Sequence, residues 1–280
     1  MVGSITTEDL AAMQRDVAAR APLERLAACH ALLGDLGDGP GLPPLWHWLH
    51  FLDAAPEADL GADGHRKHGA MVAHDAALPA RMWAGGRLRF AGAPEVGEAV
   101  RRETRVHTIS ERQGSSGLLR FVTLLHVVAG EDGVLVEEEQ DLVFRAPAVA
   151  RRLPPAAPPA PARAVTHVVV PDSVLLFRFS AVTFNAHRIH YDAPYASSAE
   201  HYPGLVVHGP LQVILLLALL RVAAPGATLQ RFDFRGQAPA FVDRALQLEV
   251  WPDEARPGFW HLQTRDPSGA LCMVAQAETV

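Results

Sequence analysis

Between Ser180 and Asp192 the chain reads Ser-Ala-Val-Thr-Phe-Asn-Ala-His-Arg-Ile-His-Tyr-Asp, and it continues to His208-Gly209-Pro210 and an apolar run from Leu211 to Leu220. Four of the 14 histidines, His187, His190, His201 and His208, fall between positions 185 and 208. Imidazole is the side chain best suited to carry protons near neutral pH. The apolar run has the character of a helix, and the start of a helix offers free backbone N–H groups and positive dipole character to a developing negative charge. A proton carrier beside an oxyanion-stabilising helix end is the chemistry these residues suggest. A three-imidazole metal site from His187, His190 and His208 is the competing arrangement. A two-residue gap between histidines is common by chance, and we expect no metal.

The elements that must position this cluster follow from patterning. Leu211 to Ala224, interrupted by Gln212 and Arg221, is too short for a membrane span and too apolar for a surface helix, so we expect it buried in a soluble core. Leu229 to Phe234, Ala240 to Trp251, Gly258 to Arg265 and Ala270 to Thr279 read as strands divided by Pro- and Gly-containing turns. The first half repeats the order, with an apolar segment from Leu45 to Leu52, an alternating stretch over Arg87 to Phe90, and strands over Val100 to Ile109, Leu118 to Ala129 and Val134 to Phe144. Near the N-terminus, Thr6 or Thr7 is a candidate cap for a helix running through Val17. The proline-rich stretch Ala146 to Arg163 predicts an extended linker. The chain therefore divides into 1–145, a linker over 146–163, and 164–280, each half being an α+β unit of helix and antiparallel sheet. The histidine cluster has no counterpart in the first half, which is expected to hold substrate while the second half carries chemistry.

Composition narrows the partners. The chain has 280 residues, 49% hydrophobic and 20% charged, with a net charge of −6 and no run of Lys or Arg. Nucleic acid is disfavoured because phosphate binding needs a basic face. Cys29 and Cys272 match neither a metal spacing nor a disulfide framework, and the opening residues lack the apolar core of a signal peptide, so a cytoplasmic setting is expected. Trp46, Trp48 and Phe51 read as core or as the wall of an acyl tunnel. His65, His68 and His74, between Ala54 and Ala77, receive no role from their spacing.

The segments Phe179 to Asp192 and Tyr202-Pro-Gly-Leu-Val-Val-His-Gly-Pro-Leu211 resemble the MaoC-like, or hydratase 2, branch of the hot-dog fold. Leu78-Pro-Ala-Arg-Met-Trp83 and the strand around Val134 to Phe144 extend the likeness to the first half. The whole chain is similar to the double-hot-dog members, among them hydratases of mesaconyl-C4-CoA and itaconyl-CoA and 3-hydroxyacyl-thioester dehydratase type 2. The resemblance implies two hot-dog units, each a long helix wrapped by an antiparallel sheet. It also implies reversible hydration of an enoyl thioester, with no cofactor beyond the coenzyme A of the substrate.

The wider pattern, Asp-x-Asn-Pro-x-His, aligns its His with His190 and its Asp with Asn185. The resemblance thus makes His190 the acid/base. An amide does not exchange protons near neutral pH, so Asn185 is expected to orient water or the thioester carbonyl. Gly209 is expected to supply the oxyanion N–H, with Pro210 suited to the helix start. His187, Tyr191 and His208 are candidates for contact with substrate, with bracing of the cluster as the alternative for each. Arg188 either pairs with Asp192 or grips a carboxylate on the acyl chain, as a guanidinium fork is able to do. The competing functions are a non-catalytic acyl-CoA or acyl-carrier binding protein, kept alive by Asn185, and a thioesterase using Asp192. A homodimer is compatible with the fold, although two hot-dog halves in one chain supply the pairing that single ones obtain by dimerising.

Overall fold

The computed structural model describes residues 12–34, 41–67, 77–78, 80–114, 117–146 and 154–280. Its α-helices among the described residues are α1 (Ala21–Ala27), α2 (Ser173–Val182), α3 (Ala193–Ser198) and the core element α4 (Gly209–Ala223), in which Leu211, Val213, Leu215 and Leu216 are fully buried. A helix apolar on nearly every side must be covered on every side. The cover is a ten-stranded antiparallel sheet in the order β1-β3-β4-β5-β2-β7-β10-β9-β8-β6. In chain order the strands are β1 (Ala12–Val17), β2 (Ala80–Phe90), β3 (Ala99–Gly114), β4 (Gly117–Ala129), β5 (Val134–Arg145), β6 (Val165–Val169), β7 (Leu229–Gly236), β8 (Leu246–Pro252), β9 (Phe259–Arg265) and β10 (Leu271–Thr279). The first five lie on one side of the sheet and the last five on the other.

The two sides join where β2 pairs with β7, Gly85 opposite Arg235 and Arg89 opposite Arg231. Gly86 is needed here, because a side chain at that position would strike the Phe234 ring at 2.7 Å. On the outer face of the seam, Arg87 donates to both Glu139 and Asp141 of β5, and Arg231 pairs with Asp233. These pairs line a shallow crevice of about 80 Å³ whose charges largely satisfy one another.

The double hot-dog expectation holds, with a difference in the first half. There the place of a long helix is taken by a one-turn 3-10 helix, Trp46–Leu49. Buried polar bonds hold it: His47 Nε2 lies 2.9 Å from Glu138 Oε2, and Trp48 Nε1 donates to the same carboxylate at 3.0 Å. Burial pushes the Glu138 carboxyl up, but the His47 bond and the charges of His47 and His126 outweigh it and hold it at about 2.

Ala12–Val17, expected as the end of a helix, is strand β1, paired with Ala99–Thr104 of β3. Backbone bonds to an open sheet edge override the local helical signal, and burial alternates residue by residue. The proposed caps Thr6 and Thr7 lie outside the described residues. Within the proline-rich stretch, the described part is strapped to the second half: Arg265 donates to the carbonyls of Ala157 and Pro158. No helix among the described residues is long and apolar enough to cross a membrane.

Candidate active site

The site is assembled by the two helices and the turns between them. Helix α2 (Ser173–Val182) is capped by Asp172, whose side chain accepts from the N–H of Leu175. The chain then reverses through Phe184, which adopts a left-handed conformation at φ 50. Asn185 follows, and its Oδ1 accepts from the N–H of His187 at 2.9 Å. This Asx turn delivers the 3-10 turn Arg188–His190. Short helix α3 (Ala193–Ser198) is capped by Asp192, which accepts from Tyr195 N at 3.0 Å.

His190 is buried, and its Nδ1 lies 2.7 Å from the carbonyl oxygen of Val206. A carbonyl only accepts, so Nδ1 carries the proton and Nε2 presents a lone pair. Val206 in turn donates its N–H to the Ile189 carbonyl at 3.0 Å, which locks the histidine turn to the strand-like approach to α4. The His190 ring stacks on that of His208, with centroids 3.6 Å apart and 19° between planes. His208 is fully buried and bonded through Nε2 to Ser180 Oγ at 2.9 Å. Burial drives the His190 pKa down to about 4 despite the Val206 bond, which raises it. Burial, and then the nearby His190 and His187, hold His208 well below its ordinary value. Both rings are therefore neutral at neutral pH.

The residue after His208 opens α4. Gly209 stands against the indole of Trp83 on β2, and a side chain at this position would meet that ring at 2.7 Å. Glycine is thus required by the close approach of the first half to the head of the helix. Pro210 occupies the first turn, as expected. The N–H of Gly209 belongs to the first turn, whose donors lack intrahelical partners.

The remaining predicted residues are distributed differently. Arg188 Nε and Nη2 both bond to Asp192 Oδ2, at 3.0 and 2.8 Å, while Nη1 donates to the Ala62 carbonyl of the first half. Its guanidinium lies over the Tyr195 ring. The fork expected to meet a carboxylate is thus engaged by the chain itself, and Asp192 is committed to Arg188 and to capping α3. Tyr191 is exposed and donates its hydroxyl to the Ala186 carbonyl. His187 is buried, with its ring 5.4 Å from that of His190 and 4.2 Å from that of His65.

His65 had no role assigned from sequence. It arrives on a first-half loop that docks on the cluster: Arg188 N donates to the Asp63 carbonyl at 2.9 Å, and a side chain on Gly64 would lie 1.9 Å from the Ala186 carbonyl. Asp63 caps this loop, accepting from His65 N and facing His65 Nδ1, both at 3.0 Å. The Asp63-Gly-His65 spacing, typical of an Asx turn, is the sequence signal that marks the loop as ordered. Asp63, His65 and His187 also bring their ligand atoms within 4.8 Å of one another. His68 and His74 lie outside the described residues.

An imidazole fixed at the head of a helix, inside paired helix-and-sheet units, places the chain among the MaoC-like hot-dog hydro-lyases of enoyl and 3-hydroxyacyl thioesters. The hydroxyacyl-thioester dehydratase type 2 family matches residues 45–242, and the chain belongs to it. It is 42% identical to mesaconyl-C(4)-CoA hydratase of Chloroflexus aurantiacus over 97% of this chain and 93% of that protein. It is 27% identical to the mitochondrial hydroxyacyl-thioester dehydratase type 2 of Schizosaccharomyces pombe, covering 84% of this chain and 88% of that one. The crystal structure of a MaoC-like dehydratase from Phytophthora capsici shares the fold at a TM-score of 0.71 and 13% identity, over 99% of both chains.

Proposed function

We propose that His190 is the general base of a hydratase whose substrate is a coenzyme A ester of an unsaturated C5 dicarboxylic acid, of the mesaconyl-C4-CoA type. The observation that carries the reading is the bond from His190 Nδ1–H to the Val206 carbonyl, which leaves Nε2 unprotonated in a neutral, buried ring. Nε2 takes a proton from water as the water oxygen bonds to the β-carbon. The electron pair of the double bond moves towards the thioester, whose oxygen is held by the Gly209 N–H at the positive end of α4. The proton held on the imidazole is then delivered to the α-carbon, completing the addition of water. Asn185 holds the His187 turn through its carbonyl and keeps its amide N–H groups for the water or the substrate. His208 braces His190 by stacking, and His187 lines the acyl end of the site.

The dicarboxylic substrate is supported by the 42% identity to a mesaconyl-C(4)-CoA hydratase. We read the protein as cytoplasmic, in keeping with its two free cysteines, and a homodimer as compatible with the fold. The test is to follow loss of the conjugated-thioester absorbance with mesaconyl-C4-CoA and crotonyl-CoA, together with release of free thiol. Hydration that His190→Ala abolishes supports the reading; thiol release, or a retained rate in the variant, refutes it.

A further inference from the structure

Arg81 has no ion-pair partner among the described residues and lies on the strand that borders the site, with Asp63 and Asp53 acting on it only through their charge. It lies in β2 opposite Phe144 of β5, and Trp83, two residues on, lies opposite Leu142. With no break in register between them, Arg81 and Trp83 project from the same face of the strand. That face meets the second half, because Trp83 covers Gly209. The surroundings of Arg81 on it are aromatic and aliphatic, with Trp83 and Phe144 packed on the small cluster of Val106, Val122, Leu124 and Leu142. Arg81 makes no ion pair or hydrogen bond with any described residue, whereas Arg87, Arg188 and Arg265 are each fully engaged.

The electrostatic reach of Arg81 extends to the loop docked on the site. Burial lowers the pKa of His65 and His187 most, and the Arg81 charge acts in the same direction; burial also lowers the pKa of Arg81 itself, against the charges of Asp63 and Asp53. Asp63 does not close on it, being bonded to His65. His187 forms no side-chain hydrogen bond with any described residue, and as a neutral ring it has one N–H to donate. The His187 ring beside His190 thus keeps an N–H free of any described partner, and so does the Arg81 guanidinium on the face of β2 that meets Gly209 through Trp83. A half-buried guanidinium with no bonded partner among the described residues is suited to an anionic group.

We infer that Arg81, with His187, forms a subsite for a carboxylate carried on the acyl group next to the β-carbon. The inference rests on the thioester-hydratase reading and moves the specificity role considered for Arg188 to the first half. A carboxylate one bond from the β-carbon must lie close to the base that activates water at that carbon, and the His187 ring is 5.4 Å from His190. The guanidinium fork suits a bidentate grip. The grouping of Asp63, His65 and His187 would suit a metal cation by its donors alone, but the neighbouring guanidinium opposes one and favours an anion.

The test is binding of two saturated thioesters that cannot be hydrated, measured by calorimetry in the presence of EDTA. Succinyl-CoA carries the free carboxylate and butyryl-CoA does not. The wild-type protein is expected to prefer succinyl-CoA, and Arg81→Gln to reduce the preference by at least about tenfold, the loss of a charged hydrogen bond. Arg81→Lys keeps charge and bulk while losing the fork, and is expected to keep only part of the preference. It carries the test if the glutamine variant does not fold. His190→Ala is expected to bind succinyl-CoA with the same preference, which separates this inference from the catalytic one. A wild type with no preference, a preference intact in Arg81→Gln (or in Arg81→Lys where only that variant folds), or a preference seen only with added zinc would overturn the assignment.

Discussion

His190 and Val206 are joined by a 2.7 Å bond from ring Nδ1 to main-chain oxygen, and Val206 lies three residues before the glycine that opens α4. The bond sets the tautomer of the base and ties it to the segment that leads into the proposed oxyanion donor. Replacing His190 by Gln or Ala is expected to lower kcat/KM for hydration by about 10²–10⁴, the usual contribution of a positioned acid/base. Steady-state kinetics with mesaconyl-C4-CoA and crotonyl-CoA check this, and a loss under tenfold would exclude the role.

Acidity offers an independent view of the same ring. With His190 at about 4 in the folded protein, kcat/KM for hydration should stay level from about pH 8 down to pH 5 and fall only near pH 4. A limb near the ordinary histidine value of 6.5 would contradict the burial argument.

Stability should follow pH through the same groups. Burial lowers His126 as well as His190 to about 4 in the folded state, against 6.5 for the free side chain. Above pH 6.5 these rings are neutral folded or unfolded, and their contribution to stability is fully present. Below it the unfolded chain binds protons that the folded one does not, so stability falls until pH 4, where the folded rings also titrate. Urea midpoints at pH 7.5, 6, 5 and 4 should decrease in order, with proton uptake on unfolding.

Docking of the first-half loop is open to a paired substitution. Gly64 has φ +89, and a side chain there would lie 1.9 Å from the Ala186 carbonyl; Gly97 has φ +97 and nothing within 4 Å. Gly97→Ala should cost only the backbone term, about 1–2 kcal/mol. Gly64→Ala should cost more and also lower kcat/KM at least about tenfold, because it displaces the turn before His187 and His190. Equal effects on stability and rate would show that the contact does not position the site.

Glu138 anchors the 3-10 turn that replaces the first helix. Removing the carboxylate by Glu138→Ala leaves His47 and Trp48 without their shared acceptor, at an expected cost of about 3–5 kcal/mol. Chemical denaturation measures the loss, and a cost below about 1 kcal/mol would mean that the turn holds by packing alone.

Much of this architecture was legible in the chain, because it depends on local periodicity. The apolar run marked α4, and alternation with Gly- and Pro-marked turns placed β4, β5, β7, β9 and β10 within about two residues of their limits, while β2 begins seven residues earlier, β3 ends five residues later and β8 begins six residues later than the pattern suggested. Proton transfer marked the histidine cluster and close approach to a helix head marked Gly209, but it was the resemblance to the hydratase 2 pattern that set His190 apart from the other imidazoles. Ala12–Val17 was misread as helix because its strand state comes from the edge of β3, some 90 residues away in the chain.

The sequence by itself thus determined the core helix, most of the long strands and the cluster of imidazoles from which a base could come. Only the tertiary structure decided the tautomer of His190, the engagement of Arg188 by Asp192 and Ala62, and the docking of the Asp63–His65 loop on the second half. The physical reason is separation along the chain. Arg188 and Ala62 lie 126 positions apart, and no local pattern records a contact made only when the sheet joins its two sides at β2 and β7.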